Sequence, residues 1–128
     1  MRFSLPVLAL IALPFAPADS ARAGGHSILP VAEIVTFRLN AGVDEAQFLS
    51  DAKATNAIVR ASKGFITRTL SKGEDGVWTD YILWKTLADA QAAAKTVVND
   101  SAFAPFGQAI DFETVVMRHE AVQWQMQQ

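Results

Sequence analysis

The sequence lacks several residue types on which chemistry and stability depend in other proteins. Its 128 residues include no cysteine, one tyrosine and two histidines. Without cysteine the chain has no disulfide bond, thiolate metal ligand, thiol nucleophile or lipidated N-terminal cysteine. The formal charge is −2 and no basic cluster exceeds two residues, which argues against nucleic acid as a partner. Hydrophobic residues make up 51% of the chain, a composition typical of a globular domain that is stabilised by packing.

Motifs for the common catalytic and cofactor sites are also missing. No G-x-S-x-G turn is present for a serine nucleophile. Gly24-Gly25 lies outside any predicted strand–helix junction, so no phosphate-binding loop is predicted. Neither His26 nor His119 has a second histidine or a carboxylate at metal-ligand spacing. The sequence therefore predicts no metal site and no cofactor.

Residues 1–23 have the three parts of a secretory signal peptide. Arg2 gives a positive start, residues 3–16 form an apolar run, and Ala21 and Ala23 are the small residues that a signal peptidase reads. We therefore expect cleavage after Ala23 and a periplasmic or secreted product.

The alternative to a cleaved leader is a retained membrane anchor. A helix that crosses the bilayer needs roughly 20 apolar residues, but this run is shorter and contains Pro6 and Pro14. A signal peptide is favoured, with no membrane association after cleavage. The expected remainder is a flexible start at 24–30, one domain at 31–122 and a polar tail at 123–128.

Hydrophobic periodicity and capping patterns predict the elements of this domain. Asp44 with Gln47, and Thr86 with Asp89, resemble helix N-caps. Alternating or β-branched runs predict strands. The predicted strands lie at 31–39, 65–70, 77–85 and 110–119, the helices at 44–62 and 86–98, and a short extra helical turn at 101–107.

The resulting order, β-α-β-β-α-β, predicts a ferredoxin-like α+β fold with a four-stranded antiparallel sheet and two helices on one face. In the third strand, Trp78, Ile82 and Trp84 alternate with Tyr81 and Leu83, so both sheet faces carry bulky apolar residues. Because two helices cover only one face, the other would be left in water. We therefore expect a homodimer that packs sheet against sheet.

The same residues resemble a known family. Gly64-Phe65 at the start of a strand, a polar turn at 72–76, the segment from Trp78 to Trp84 and an Ala-rich helix are similar to the dimeric α/β-barrel superfamily, and to its antibiotic-biosynthesis-monooxygenase (ABM) domains. The resemblance covers about residues 30–122. It implies a pocket between sheet and helices for a small hydrophobic or aromatic molecule. It also implies a cofactor-independent monooxygenase or, alternatively, a non-catalytic periplasmic binding or structural module.

The haem-degrading branch of that superfamily matches less well. Its members use a tryptophan at the end of the third strand, which Trp84 matches. They also use an asparagine on the first strand, where this chain has Phe37, and a histidine after the second helix, where residues 101–108 contain none. Only one of these features is present, so haem oxidation is not favoured.

Four residues on the third strand and its neighbour are the first candidates for a site. Trp84 and Trp78 form either an aromatic wall for a planar ligand or part of the core. Asp80 is an acid within an apolar strand, where an unpaired carboxylate is costly to bury. It either forms an ion pair with Arg68 of the paired strand or serves, with Arg68, as a catalytic or substrate-orienting group.

Two further candidates lie outside that hairpin. His119 is either a proton shuttle or a histidine at the sheet edge or dimer interface. Asn56 either points into the pocket as a ligand-binding group or lies on the shoulder of its helix. Tyr81 is expected on the sheet face opposite Trp84, so the two would not share a pocket.

Overall fold

The computed structural model describes residues 29–128. The predicted signal peptide, and residues 24–28 of the predicted flexible start, lie outside this part of the chain. The strands are β1 (Val31–Leu39), β2 (Phe65–Lys72), β3 (Trp78–Trp84) and β4 (Ile110–Ala121). The helices are α1 (Glu45–Ala54), α2 (Asn56–Ala61), α3 (Leu87–Val97) and α4 (Ala104–Gln108), with a 3-10 turn at Ser101–Phe103 before α4.

The four strands form one antiparallel sheet in the order β2-β3-β1-β4. This order and the alternation of strands with helices confirm the predicted ferredoxin-like α+β fold. The two central strands, β3 and β1, carry nine of the sheet's ten buried residues. β2 and β4 lie at the edges of the sheet. Each of the four strands places some of its side chains on the face that the helices cover.

The helical segment after β1 is not the single helix predicted for 44–62. Asp44 caps it as expected, accepting a hydrogen bond from the backbone N–H of Gln47 at 2.8 Å. At Thr55 the helix divides into α1 and α2, and both the backbone N–H and the Oγ1 hydroxyl of Thr55 donate to the carbonyl of Ala52. A threonine that bonds back to the preceding turn competes with the regular helical pattern, so the prediction of a continuous helix was wrong.

The chain enters β2 through a glycine that makes a close approach to α3. Gly64 has a φ of +81°, and a Cβ placed on it would lie 2.2 Å from Asp89 Oδ2. Asp89 is fixed in the first turn of α3, where its backbone N–H donates to the Thr86 side chain at 3.0 Å. This confirms the predicted cap and explains why only glycine fits at position 64.

The helix-facing side of the sheet holds two packed clusters. The first is aromatic: Phe48 of α1 lies 4.9 Å from Trp78 and 5.3 Å from Phe106, measured between ring centroids. The second centres on Trp84, which packs with apolar residues of α2 and α3. Trp78 and Trp84 therefore share a sheet face, as predicted, but lie in different clusters.

The opposite face of the sheet carries Ala32, Ile34 and Leu83, which pack with Val122 beyond the end of β4. Tyr81 pairs with Ile34 of this face and is 36% exposed, which confirms that it lies opposite Trp84. Within residues 29–128, no helix is long and apolar enough to cross a membrane.

Candidate functional site

A cavity of about 180 Å³ lies between the helix-facing side of the sheet and the helices. Most of its lining is apolar and comes from β1, β3, β4, α3 and α4; it includes Val35, Ile82, Trp84, Ala93, Val97, Phe106 and Ile110. We call this space the apolar cavity. It lies where the resemblance predicted a pocket.

Four polar residues also border the apolar cavity: Glu33, Thr55, Arg68 and Asp80. Glu33, Thr55 and Asp80 are each no more than 5% exposed. Burying ionised groups in apolar surroundings is costly unless each one is paired. The structure satisfies this requirement with two networks.

The first network joins Arg68, Asp80 and Thr55. Arg68 Nη2 donates to Asp80 Oδ2 at 2.7 Å, and Arg68 Nε donates to Oδ1 at 3.0 Å. Arg68 Nη1 donates to Thr55 Oγ1 at 2.7 Å. The guanidinium thus holds the carboxylate with two nitrogens, a strong and directional arrangement. The predicted ion pair is confirmed, and it forms part of the cavity wall.

The hydroxyl of Thr55 connects this ion pair to the helix break. It accepts from Arg68 while donating to the carbonyl of Ala52 at 2.6 Å. Thr55 is 1% exposed, so both of its bonds lie in the interior. The division between α1 and α2 therefore places a polar group where the arginine needs an acceptor.

The second network joins Glu33 of β1 to His119 of β4. The two residues are partners in the sheet register, and Glu33 Oε2 lies 2.8 Å from His119 Nε2. This carboxylate partner for His119 was not anticipated from the sequence. The partners are 86 residues apart in the chain, so only the pairing of β1 with β4 brings them together.

Glu33 itself was missed as a site residue. It follows the same alternation as Val35 and Phe37 and therefore lies on the covered face of β1. An acid at an apolar position was the signal that singled out Asp80, and it applied equally to Glu33.

Trp84 borders the apolar cavity and is 2% exposed. Its Nε1 is buried and has no hydrogen-bond partner among residues 29–128. Leaving such a donor unpaired costs about 1–3 kcal/mol, and a buried indole N–H usually has a partner. Trp84 thus contributes an apolar surface and an unused donor.

The other two predicted ligand-binding residues do not border the apolar cavity. Trp78 is buried against Phe48 in the aromatic cluster. Asn56 is exposed at the start of α2 and lines a separate depression of about 140 Å³ with Arg60 and Phe65. Asn56 therefore lies on the helix shoulder.

The apolar cavity opens between α3 and β4. Three of its lining residues at this edge are solvent-accessible: Val98 is 54% exposed, Phe112 66% and Met117 50%. Large exposed apolar side chains that border a cavity are typical of a binding site. We call these three residues the mouth.

Within the part of the chain that the structure describes, no three histidine, aspartate or glutamate side chains converge in a group that could hold a metal ion. The ionisable groups at the cavity instead form pairs. The site can therefore hold a mostly apolar molecule and offer the carboxylate of Glu33.

Comparison with solved structures identifies proteins with a similar fold. A Bordetella bronchiseptica protein, provisionally assigned as an antibiotic biosynthesis monooxygenase, covers 75% of this chain and 99% of its own, with 15% identity and a TM-score of 0.65. A variant of SnoaB, a cofactor-independent oxygenase from Streptomyces nogalater, covers 77% and 95%, with 18% identity and a TM-score of 0.53. A Nitrosomonas europaea protein of unknown function covers 81% and 98%, with 13% identity and a TM-score of 0.60.

These similarities confirm the predicted resemblance at the level of the fold: the chain has the fold of ABM domains. No protein-family model and no curated protein sequence matches it. Because a shared fold hosts many activities, function has to be inferred from the residues of the cavity.

Proposed function

We propose that this chain is an exported, ABM-like protein that binds a small aromatic molecule in the apolar cavity and oxygenates it without a cofactor. The observation that carries the proposal is the cavity itself, an apolar space that opens at the mouth and contains a few buried polar groups. Such an arrangement is typical of small-molecule sites, where apolar walls give affinity and a few polar groups fix orientation.

The size of the cavity limits the part of a ligand that it can enclose. An apolar protein cavity of about 150 Å³ accommodates benzene, so a cavity of about 180 Å³ suits one aromatic ring with substituents or a compact pair of rings. A larger molecule would extend through the mouth, where Phe112 and Met117 provide apolar contacts.

The polar groups favour a ligand that carries oxygen. Trp84 borders the cavity and its Nε1 is a buried donor without a partner in the described residues, so a ligand carbonyl, ether or hydroxyl oxygen would satisfy it if the ring turns this edge toward the ligand. Arg68 and Asp80 neutralise each other, so the wall that they form favours a neutral ligand over a charged one.

The reaction that fits is oxygenation of an activated CH2 group. The balanced step is R2CH2 + O2 → R2C=O + H2O, in which the carbon loses four electrons and the oxygen molecule gains them. No external reductant is needed because the substrate supplies the electrons. The similarity to the fold of SnoaB, a cofactor-independent oxygenase, supports this class. The predicted export supports it too, because nicotinamide and reduced flavin are not freely supplied outside the cytoplasm.

The uncovered face of the sheet supports the proposal that the protein is a homodimer. Tyr81 and Val116, which are 36% and 56% exposed, lie there beside the buried Ile34 and Leu83. A second copy would remove this apolar surface from water, which is the main driving force for association. Native mass spectrometry of the purified protein tests the dimer and any bound ligand together, and a strictly monomeric species would contradict the homodimer.

The oxygenase can be tested with 2-tetralone, a two-ring ketone with an acidic benzylic CH2 group. We expect oxygen uptake on addition of the protein, with one atom of labelled O2 in the diketone product and the other in water. Ala94→Phe would fill the cavity and abolish binding and uptake. Ala92→Phe is the matched control, because Ala92 is exposed on the same helix and does not border the cavity.

The second candidate is a non-catalytic binding module of the same fold. The mutual pairing of Arg68 and Asp80 favours it, because both groups are already engaged with each other. Binding of 2-tetralone by the wild-type protein without oxygen uptake would support this module and contradict the oxygenase.

A further inference from the structure

We propose that Glu33 and His119 form a proton relay between the apolar cavity and solvent. This inference rests on the function proposed above, because the relay needs a ligand in the cavity. The observation behind it is a buried carboxylate that borders the cavity and is bonded to an imidazole that reaches the surface.

The two side chains differ in their access to water. The Glu33 side chain is 6% exposed, whereas the His119 side chain is 23% exposed. Glu33 borders the apolar cavity and His119 does not. Since Glu33 Oε2 and His119 Nε2 are 2.8 Å apart, the pair leads from the interior to the surface in one hydrogen bond.

Glu33 is better placed to accept a proton than the other ionisable groups of the cavity. Arg68 and Asp80 are bonded to each other through both carboxylate oxygens of Asp80. Glu33 uses only Oε2 for His119, and its Oε1 accepts no hydrogen bond from residues 29–128. One oxygen of Glu33 is therefore available to a ligand.

The relay consists of two balanced proton transfers. In the first, the carboxylate of Glu33 accepts a proton from an acidic C–H of the ligand, and the electron pair of that bond stays on the ligand as an enolate. In the second, the carboxyl group of Glu33 turns and passes its proton to Nε2 of the neutral His119 tautomer that carries its hydrogen on Nδ1, and the imidazolium so formed releases the Nδ1 proton to water. His119 then donates from Nε2 to the Glu33 carboxylate, and proton exchange with water restores the first tautomer. The enolate is the electron-rich species that the proposed oxygenation requires, so Glu33 is the catalytic residue and His119 a positioning residue.

A simpler reading is that Glu33 and His119 only join β1 to β4. Proton exchange separates the two readings, because a structural pair would not exchange the protons of a ligand. In heavy water without oxygen, the relay removes a benzylic proton from 2-tetralone and returns a deuteron from the solvent. Repeated turnover therefore replaces the benzylic protons with deuterium. Proton NMR follows this replacement, and the experiment needs no oxygenation.

We expect the wild-type protein to accelerate the exchange and Glu33→Gln to slow the protein-dependent rate by about 100-fold or more, the usual contribution of a general base. Glutamine keeps the size and a hydrogen-bonding group but accepts no proton. His119→Ala should also slow the exchange, and added imidazole should restore it. Binding of 2-tetralone, measured by tryptophan fluorescence, should remain for all three proteins.

The control is Glu120→Gln. Glu120 is an exposed glutamate that lies next to His119 on β4 and pairs with Arg118, and the exchange rate of this variant should equal that of the wild type.

Equal rates for wild type and Glu33→Gln, or a His119→Ala variant that imidazole does not rescue, would overturn the relay while leaving ligand binding intact. If Glu33→Gln does not fold, the imidazole rescue decides. Exchange without oxygen uptake in air would support the relay and contradict only the oxygenase, whereas no binding of 2-tetralone by the wild type would overturn both proposals.

Discussion

Arg68 holds Asp80 with two guanidinium nitrogens, at 3.0 Å from Nε to Oδ1 and 2.7 Å from Nη2 to Oδ2. Their side chains are only 11% and 8% exposed, so the pair is a buried one at the wall of the apolar cavity. Removing one partner of such a pair leaves the other as an uncompensated charge.

Replacing Asp80 with asparagine should therefore destabilise the protein strongly. We expect a loss of about 3–5 kcal/mol in the free energy of unfolding, because Arg68 would remain buried without its counter-charge. Urea denaturation measures this loss. Glu45→Gln is the control, since Glu45 pairs with Lys72 at the surface and exposed pairs contribute about 0–1 kcal/mol. Similar losses for the two variants would contradict the role assigned to the buried pair.

Thr55→Val tests the hydroxyl that links the helix break to the arginine. Valine has nearly the same shape but leaves Arg68 Nη1 without its acceptor at 2.7 Å. We expect a loss of about 1–3 kcal/mol in the free energy of unfolding. Thr96→Val removes a hydroxyl that bonds back to Ala92 on an exposed helix face, and there we expect a change within about 0.5 kcal/mol. Thermal or urea denaturation measures both losses. If Thr55→Val is as stable as the wild type, the hydrogen bond from Arg68 to Thr55 does not contribute to stability.

Gly64→Ala tests the close approach between the entry to β2 and α3. The added Cβ would lie 2.7 Å from Asp89 Cβ, so rotating the carboxylate away does not relieve the overlap. Gly42→Ala is the control because Gly42 has a similar φ of +80°, but a methyl group added there would meet no atom within 4 Å. Both variants incur the strain of a positive φ, about 1–2 kcal/mol, and we expect Gly64→Ala to unfold at a clearly lower urea concentration. Equal midpoints would show that α3 does not constrain position 64.

Most of the fold could be predicted because local patterns decide it. The alternation in β1 and β3, with the caps at Asp44 and Thr86, gives the element order and the face on which each side chain lies. The division of the helix at Thr55 could not be predicted in this way. At the division, the Thr55 hydroxyl accepts a hydrogen bond from Arg68 of β2. A local pattern within the helix does not reveal a contact with another element.

The candidate site was predictable only in part, and the reason is long-range pairing. Asp80 and Arg68 lie on consecutive strands of a hairpin, so their ion pair could be anticipated. Glu33 and His119 lie on strands that are neighbours in the sheet but distant in the chain. Trp78 and Trp84 follow the same alternation, yet packing with Phe48 places only Trp84 at the cavity.

The indole N–H of Trp84 offers the most direct test of a ligand in the apolar cavity. The chain has three tryptophans, so a nitrogen–proton correlation spectrum should contain three indole signals, and Trp84→Phe would assign one of them. On titration with 2-tetralone we predict that the Trp84 signal shifts downfield as its unpaired donor bonds to the ketone oxygen. The signals of Trp78, packed in the aromatic cluster, and of the exposed Trp124 should stay in place. A Trp84 signal that does not move at saturating 2-tetralone, or a shift confined to Trp124, would contradict ligand binding in the cavity.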